Sequence, residues 1–284
     1  MPIKISATEL ILNPDGSVYH LNVLPEDIGE TVLLVGDPDR VPEVSKHFDT
    51  LQIQKQKREF ITHTGTIGSN RVSVISTGIG TDNIDIVLNE LDALVNIDLH
   101  TREVKSGKHD LSIVRIGTSG AVQADIPVDS ILVSTFGLGL DQVLCYYEVE
   151  PAADVSHVAA ALGLPFLQPY IFAADEGLLA RFNQTSLKGL TATCCGFYAP
   201  QGRKMRVATR SENLITNLQN LALPQGRVTN FEMETAAILG LSKVFGFKAV
   251  SVNAIVANRI THQFSANPQA MIDKTIRYTL DSLF

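Results

Sequence analysis

The sequence predicts an α/β fold built on one largely buried sheet, and three observations carry that expectation. Short apolar runs rich in β-branched residues recur along the chain, each ending in glycine or a polar turn. Helix-length amphipathic stretches follow most of them. No Pro/Gly/Ser-rich linker and no internal repeat divides the 284 residues, so residues 1–284 read as a single domain. Strands that are apolar on both faces belong to sheets covered by helices on both sides.

The first strand covers residues 31–36 (TVLLVG) and ends at Asp37-Pro38, which reads as an N-cap followed by proline in the first helical turn. Residues 71–77 (RVSVIST) form the second strand, followed by Gly78-Ile79-Gly80 and a helix from Asp82 to Val95. Residues 111–117 (LSIVRIG) and 130–136 (SILVSTF) are two more strands. The segment NFEMETAAILG opens a helix at Glu232 that runs to Phe245 and stops at Gly246. A strand over 248–258 follows, and an amphipathic helix over 268–283 closes the chain. One polar stretch, residues 98–110, breaks the alternation and reads as a solvated surface insertion.

Hydrophobic residues make up 45% and charged residues 19% of the chain, which excludes a disordered polypeptide. Lys plus Arg number 23 against 30 Asp plus Glu, a formal net charge of −7. That field repels nucleic acid and anionic lipid, so neither is an expected partner. An anionic substrate would need a local cluster of arginines. Cys145, Cys194 and Cys195 contain no C-x-x-C, and adjacent cysteines rarely bridge. A reducing compartment, the cytoplasm, is the simple expectation. Residues 1–20 lack the charged start and long apolar core of a signal peptide. No run of about 18 apolar residues offers a membrane span.

Ligands of open α/β sheets bind beyond the carboxyl ends of the strands. Three glycine-bearing segments read as turns there: residues 36–40 (GDPDR), 77–80 (TGIG) and 115–120 (RIGTSG). Glycine lets backbone N–H groups approach an anion, and arginine adds a planar fork for phosphate oxygens. Arg40 and Arg115 with Gly36 and Thr118 would make a small phosphate cradle. The same residues would also serve as plain turns whose arginines pair with nearby carboxylates. No P-loop and no dinucleotide fingerprint is present.

Gln201 and Arg203 lie two apart in what reads as an extended loop, so they point to one side. Glutamine offers a donor and an acceptor, arginine donors only. Together they suit a planar heterocycle with carbonyl oxygens and an N–H, such as uracil; a solvated surface pair is the other reading. Glu232 and Glu234, two apart on a helix, would face different sides and serve different tasks. Glu232 complements the helix dipole, and Glu234 is a candidate acceptor for a sugar diol.

Several stretches, in order, resemble the uridine phosphorylase branch of the nucleoside phosphorylases: GDPDR, KREF (57–60), STGIG (76–80), RIGTSGA (115–121), GFYAPQGR (196–203), NFEMETA (230–236) and IVANR (255–259). The resemblance runs from about His20 to the C-terminus. It implies a mixed α/β fold with a barrel-like central sheet and flanking helices, assembled as dimers or as hexamers of dimers. It implies phosphate binding by Gly36, Arg40, Arg115 and Thr118, with Arg58 contributed by the dimer partner. His20, in VYHLN, would come from the partner to the ribose 5′-hydroxyl. Thr118, Met233 and Glu234 would hold the ribose, with Glu232 nearby. Gln201 and Arg203 would read uracil, Phe197 would pack on the base, and Ile255 and Val256 would form an apolar wall.

The activity implied is phosphorolysis of uridine, with Arg115, Glu234, Arg203 and Gln201 as the catalytic set. No metal or organic cofactor is expected, phosphate being a co-substrate. Some members hold a monovalent cation between subunits through the glutamate of the REF segment. Glu59 is present, but Asn83 replaces their serine. Asp39 stands where the family often has glycine, and residues 98–110 are longer than in compact members. Purine phosphorylases of the branch carry an aspartate where this chain has Asn258, which disfavours the purine alternative. A non-catalytic nucleoside-binding protein is the alternative of another class.

Overall fold

The computed structural model describes residues 4–182 and 186–284. In chain order its elements are β1 (Thr31–Val35), α1 (Arg40–Ser45), β2 (Thr50–Lys57), β3 (Phe60–Ile67), β4 (Asn70–Ser76), α2 (Thr81–Asn96), β5 (Ile97–Asp98) and β6 (Glu103–Val104). Then come β7 (Ser112–Ala121), β8 (Ile131–Gly139), α3 (His157–Ala161), β9 (Tyr170–Ala173), α4 (Glu176–Ala180), β10 (Leu187–Thr193) and α5 (Leu214–Asn220). The chain ends with β11 (Ala222–Leu223), β12 (Gly226–Glu232), α6 (Thr235–Phe245), β13 (Lys248–Asn258), β14 (Gln263–Phe264) and α7 (Pro268–Leu283).

One sheet runs in the order β11–β12–β10–β8–β13–β7–β1–β4–β3–β2. β12 also folds back onto β7, pairing Asn230 with Ala121 and Phe231 with Gly120. That contact closes β7, β13, β8, β10 and β12 into a barrel, with β1, β4, β3 and β2 continuing outward from β7. The sheet is mixed: β7 runs parallel to β1 and β13, and β8 runs antiparallel to β13. Closure is helped by register shifts in β10 after Gly189 and in β13 between Ile255 and Ala257, since bulges bend strands.

The main core lies between this sheet and helices α2, α6 and α7. Leu33, Ile113, Val114 and Val250 from the strands meet Ile84, Leu88, Ile238 and Ile276 from the helices, all fully buried. Each such side chain contributes about 1.5–3 kcal/mol by leaving water. Helix α6 is buried from Thr235 to Ser242. It approaches β8 so closely that a Cβ on Gly137 would fall 2.7 Å from the Ala236 Cα. The start of α6 is thereby fixed against the barrel.

Three local expectations are corrected. The third glycine segment is no turn: β7 continues through Ala121, because β13 pairs with it from Ser112 to Ala121. The helix foreseen from Glu232 begins at Thr235. Glu232 is instead the last residue of β12, held in register with Thr193 of β10. Helix α1 begins at Arg40 rather than Pro38, because Asp37 first closes a turn, its Oδ1 accepting the Asp39 N–H at 3.0 Å. Residues 98–110 are exposed or half-buried throughout, as a surface insertion, and they also hold a partner segment. Their β5–β6 hairpin clasps the N-terminal segment: the Ile5 N–H donates to the Arg102 carbonyl at 2.9 Å, and the Arg102 guanidinium donates to the Leu10 carbonyl.

The position of β7 decides where a ligand can enter. Along one edge it is covered by β13. Along the other, β1 pairs only as far as Arg115 and β12 joins only at Gly120. Between them, over Ile116 to Ser119, the sheet splits. Such a split is the switch point at which α/β sheets hold ligands.

Candidate active site

Arg115 stands at that split, in a cleft of about 640 Å³. Its guanidinium is buried, and its Nη2 lies 2.6 Å from Glu234 Oε2 and 2.9 Å from Glu232 Oε2. Burial alone would lower the guanidinium, but Glu232 and Glu234 outweigh it and hold Arg115 above its ordinary value. The expectation that the two glutamates serve separate tasks is therefore corrected. They are not on a helix, and the bend after β12 turns both carboxylates onto one arginine.

Glu232 does more than pair. Its carboxylate accepts the N–H groups of Glu234 at 3.0 Å and Thr235 at 2.9 Å, and the Thr193 hydroxyl at 2.7 Å. It thus caps α6 from the preceding strand, where the helix dipole favours negative charge. Burial pushes its carboxyl upward, Arg115 opposes that, and Glu234 adds to it. Glu234 places Oε1 on the Gly80 N–H at 2.8 Å, leaving Oε2 on Arg115.

Arg115 reaches this position by lying along its own strand. A Cβ on Gly117 would fall 2.0 Å from Arg115 Nη1. Gly117→Ala is therefore expected to displace the guanidinium from its two carboxylates. The loss of stability should be on the order of 3 kcal/mol, as for a broken buried pair, and appear as a lowered Tm. An unchanged Tm would refute the close approach.

Gly36, Arg40 and Thr118 line the same cleft. Arg40 is half-buried at the start of α1, and its Nη1 donates to the Ile116 carbonyl at 3.3 Å, inside the sheet split. Burial lowers its guanidinium, which Asp37 counters and Arg115 reinforces. Asp39 is exposed and lies off the cleft, so its charge is turned away from this corner.

Gln201, Arg203, Phe197, Met233 and Val256 line the cleft as well. The loop that carries the first two is a 3₁₀ turn over Ala199–Gln201 rather than an extended segment. The pair still meets, with Arg203 Nη1 donating to Gln201 Oε1 at 2.6 Å. Gln201 is buried, and its Nε2 lies 3.4 Å from the Glu232 carbonyl, which ties this loop to the carboxylates. The Arg203 guanidinium stacks 3.6 Å from the Phe197 ring centroid, so an arginine covers the face expected to meet a base.

Ile255 is the misplaced member of the set. It is fully buried beside Ala121, Ile126 and Leu132, facing away from the cleft. The bulge after it turns Val256 and Ala257 to the cleft instead. His20 and Arg58 also lie off this chain's cleft. His20 Nδ1 is 2.7 Å from Glu90 Oε1, and Arg58 sits exposed at the β2–β3 turn with φ 56°.

Several residues in and beneath the cleft escaped sequence reasoning. Asn253 accepts from Arg115 Nη1 at 3.0 Å; an amide midway along an otherwise mostly apolar strand was its only mark. Arg259 donates to the Gln201 carbonyl at 3.2 Å, and Phe231 and Phe264 line the walls. Glu59 lines the cleft too, with Asn83 Nδ2 3.4 Å from its Oε1. Among the described residues, no group of three or more His, Cys, Asp or Glu is placed to hold a metal ion, and no helix is long and apolar enough to cross a membrane.

A uridine phosphorylase of Thermococcus kodakarensis is 31% identical over 264 residues, 92% of this chain and 84% of that one. A uridine phosphorylase of Escherichia coli K12 is 29% identical over 263 residues, 89% of this chain and 90% of its own. Among solved structures, a Trypanosoma brucei nucleoside phosphorylase described as showing uridine phosphorylase activity superposes with a TM-score of 0.88 at 28% identity, covering 96% of this chain and 99% of that one. Residues 30–276 match the phosphorylase superfamily as a whole, and the chain belongs to that superfamily.

Proposed function

We propose that this chain catalyses the reversible phosphorolysis of uridine, giving uracil and ribose 1-phosphate. The observation that carries the reading is the sequence of contacts along one cleft. Arg115 is bonded to Glu232 and Glu234, the Glu232 carbonyl lies 3.4 Å from Gln201, and Gln201 is bonded to Arg203. A cation, a pair of acceptors and a donor–acceptor amide suit, in that order, an anion, a diol and a uracil ring.

In this mechanism phosphate enters against Arg40 and Arg115 in the corner lined by Gly36 and Thr118. Ribose lies over Met233 and Thr118, with its 2′- and 3′-hydroxyls donating to Glu234. Arg203 and Gln201 meet the uracil oxygens and N3–H, with Val256 against the ring and Phe197 packed behind the Arg203 guanidinium. The bond from C1′ to N1 breaks, and its electron pair passes to uracil, where the Arg203 and Gln201 donors stabilise it. A phosphate oxygen forms the new bond to C1′ on the opposite face, and the uracil anion takes a proton from water. Charge held in place before the reaction is the main catalytic device, together with the fixed ribose.

Arg58 and His20 lie at the surface, the placement required if each serves a neighbouring subunit's cleft. The active unit is then a homodimer at the least, and a hexamer is compatible with it. The three free cysteines fit a cytoplasmic protein. Purine chemistry is disfavoured at Asn258, which is buried and fully engaged. Its Nδ2 donates to the Gln123 and Ile126 carbonyls, and its Oδ1 accepts from Ile260 and Thr261.

The test is release of base from uridine, cytidine, inosine and adenosine, with and without phosphate. Uridine with phosphate should be the productive pair. Cytidine, whose amino group confronts the Arg203 donors, should be poorer by tens of fold, because unpaired buried donors cost about 1–3 kcal/mol each. Gln201→Ala should impair uridine turnover and leave the phosphate KM nearly unchanged. Equal cleavage of cytidine or inosine would remove Gln201 and Arg203 as pyrimidine readers.

A further inference from the structure

Beneath the cleft, the barrel interior holds a ring of polar side chains. Asn253 on β13 is fully buried, with its Oδ1 3.0 Å from Arg115 Nη1. A guanidinium can only donate, so the amide oxygen must face Arg115 and the amide nitrogen must face away. That nitrogen donates to Ser134 Oγ on β8 at 3.0 Å. Ser134 Oγ lies 2.6 Å from Thr191 Oγ1 on β10 and donates to it, because the Thr191 hydrogen goes to Asn230. Thr191 donates onward to Asn230 Oδ1 on β12 at 2.9 Å, and Asn230 Nδ2 donates to Ser119 Oγ on β7 at 2.9 Å.

One Ser, Thr or Asn from each barrel strand takes part, and the bonds run from Arg115 round the barrel to Ser119, both on β7. Every member is buried, so water does not compete for these bonds. The charge on Arg115 sets the orientation of the Asn253 amide. Asn253 consequently has one available orientation and presents a fixed acceptor to one edge of the guanidinium. The opposite edge meets Glu232 and Glu234.

We infer that Asn253 is a positioning residue: anchored by the barrel ring, it fixes the plane of Arg115 so that the guanidinium faces the anion subsite. Glu232 and Glu234 alone grip a single nitrogen, Nη2, about which the group can pivot. Without Asn253 the Nη1 hydrogens keep only the Ser251 hydroxyl at 3.5 Å. The guanidinium would then turn away from phosphate. The inference rests on the phosphate role proposed above for Arg115.

The experiment compares wild type, Asn253→Leu, Arg115→Ala and the double variant. Two quantities are read: KM for phosphate and for uridine, and the rise in Tm on adding inorganic phosphate, which needs no turnover. Asn253→Leu should raise the phosphate KM about ten-fold or more, the size of an unpaired buried donor. The uridine KM should stay within about two-fold, and the phosphate-induced rise in Tm should shrink. In the Arg115→Ala background the same substitution should add nothing to either phosphate readout, because it acts through Arg115.

Equal rises in both KM values, or the same penalty with and without Arg115, would overturn the inference. Should Asn253→Leu fail to fold, Ser134→Ala removes the anchor while leaving the contact with Arg115. It should raise the phosphate KM about three-fold, and an unchanged value would overturn the inference. A wild type that releases no uracil with phosphate would sink the proposed function instead. The phosphate-induced Tm would still decide the role of Asn253.

Discussion

Arg115→Ala should lose at least about 100-fold in uridine phosphorolysis and destabilise the fold in the same step. The catalytic loss follows from removing a preorganised cation at the anion subsite, an effect of about 100- to 1,000-fold in comparable sites. The structural loss has a separate cause. Glu232 and Glu234 are buried, and Arg115 is the cation that both contact. Removing one partner of a buried pair costs about 3–5 kcal/mol, because the charge left behind has no compensation.

The two losses separate by pH and by a second substitution. Burial already pushes the Glu232 carboxyl upward, and Arg115 is what opposes it. In Arg115→Ala that opposition is gone, so the folded-state value rises further. A raised carboxyl binds protons more tightly folded than unfolded, so its contribution to stability is full at low pH and is lost as pH climbs through the raised value. The variant's Tm should therefore fall, relative to wild type, as pH increases from the ordinary glutamate range toward neutrality. Adding Glu232→Gln should recover part of the Tm and none of the turnover. Full turnover in Arg115→Ala, measured by uracil release at saturating phosphate, would remove Arg115 from the chemistry.

Mixing two inactive proteins should restore activity. Arg58 stands exposed at the β2–β3 turn, outside its own chain's cleft, whereas Arg115 lies inside it. If Arg58 completes a neighbour's phosphate corner, Arg58→Ala and Arg115→Ala homodimers each carry two defective clefts. A mixed dimer carries one cleft lacking both arginines and one with both intact. With random exchange about half of the dimers are mixed, so recovered activity should approach about one quarter of wild type. Sedimentation should show at least a dimer throughout. A fully active monomer, or no recovery after proven subunit exchange, would confine each site to one chain.

How much of this was legible depended on whether the cause was local. Strand β13 and helix α7 were bounded correctly from sequence, because their apolar runs end on local stop signals. The start of α6 was not, since Glu232 reads as a first-turn acid. Only its pairing with Thr193 of β10 keeps it in a strand. Glycines misled at β7, where Gly117 reads as a terminator. In the fold it makes room for the Arg115 side chain. Ile255 was implied for the cleft by the family resemblance, which does not carry the bulge that hands the position to Ala257. The arginines, the Gln201–Arg203 pair and Glu234 were visible as motifs. The barrel ring was not. A single Ser, Thr or Asn in each of five strands carries no pattern until closure brings them to one level.

The central claim is that phosphate, not water, takes the ribose. Phosphorus NMR on a reaction of uridine with inorganic phosphate, run beside a chromatographic assay for uracil, tests it most directly. Uracil should appear together with an equal amount of ribose 1-phosphate, at the expense of inorganic phosphate and with no free ribose. Uracil released together with free ribose, while the inorganic phosphate signal stays constant, would contradict it and make the enzyme a hydrolase.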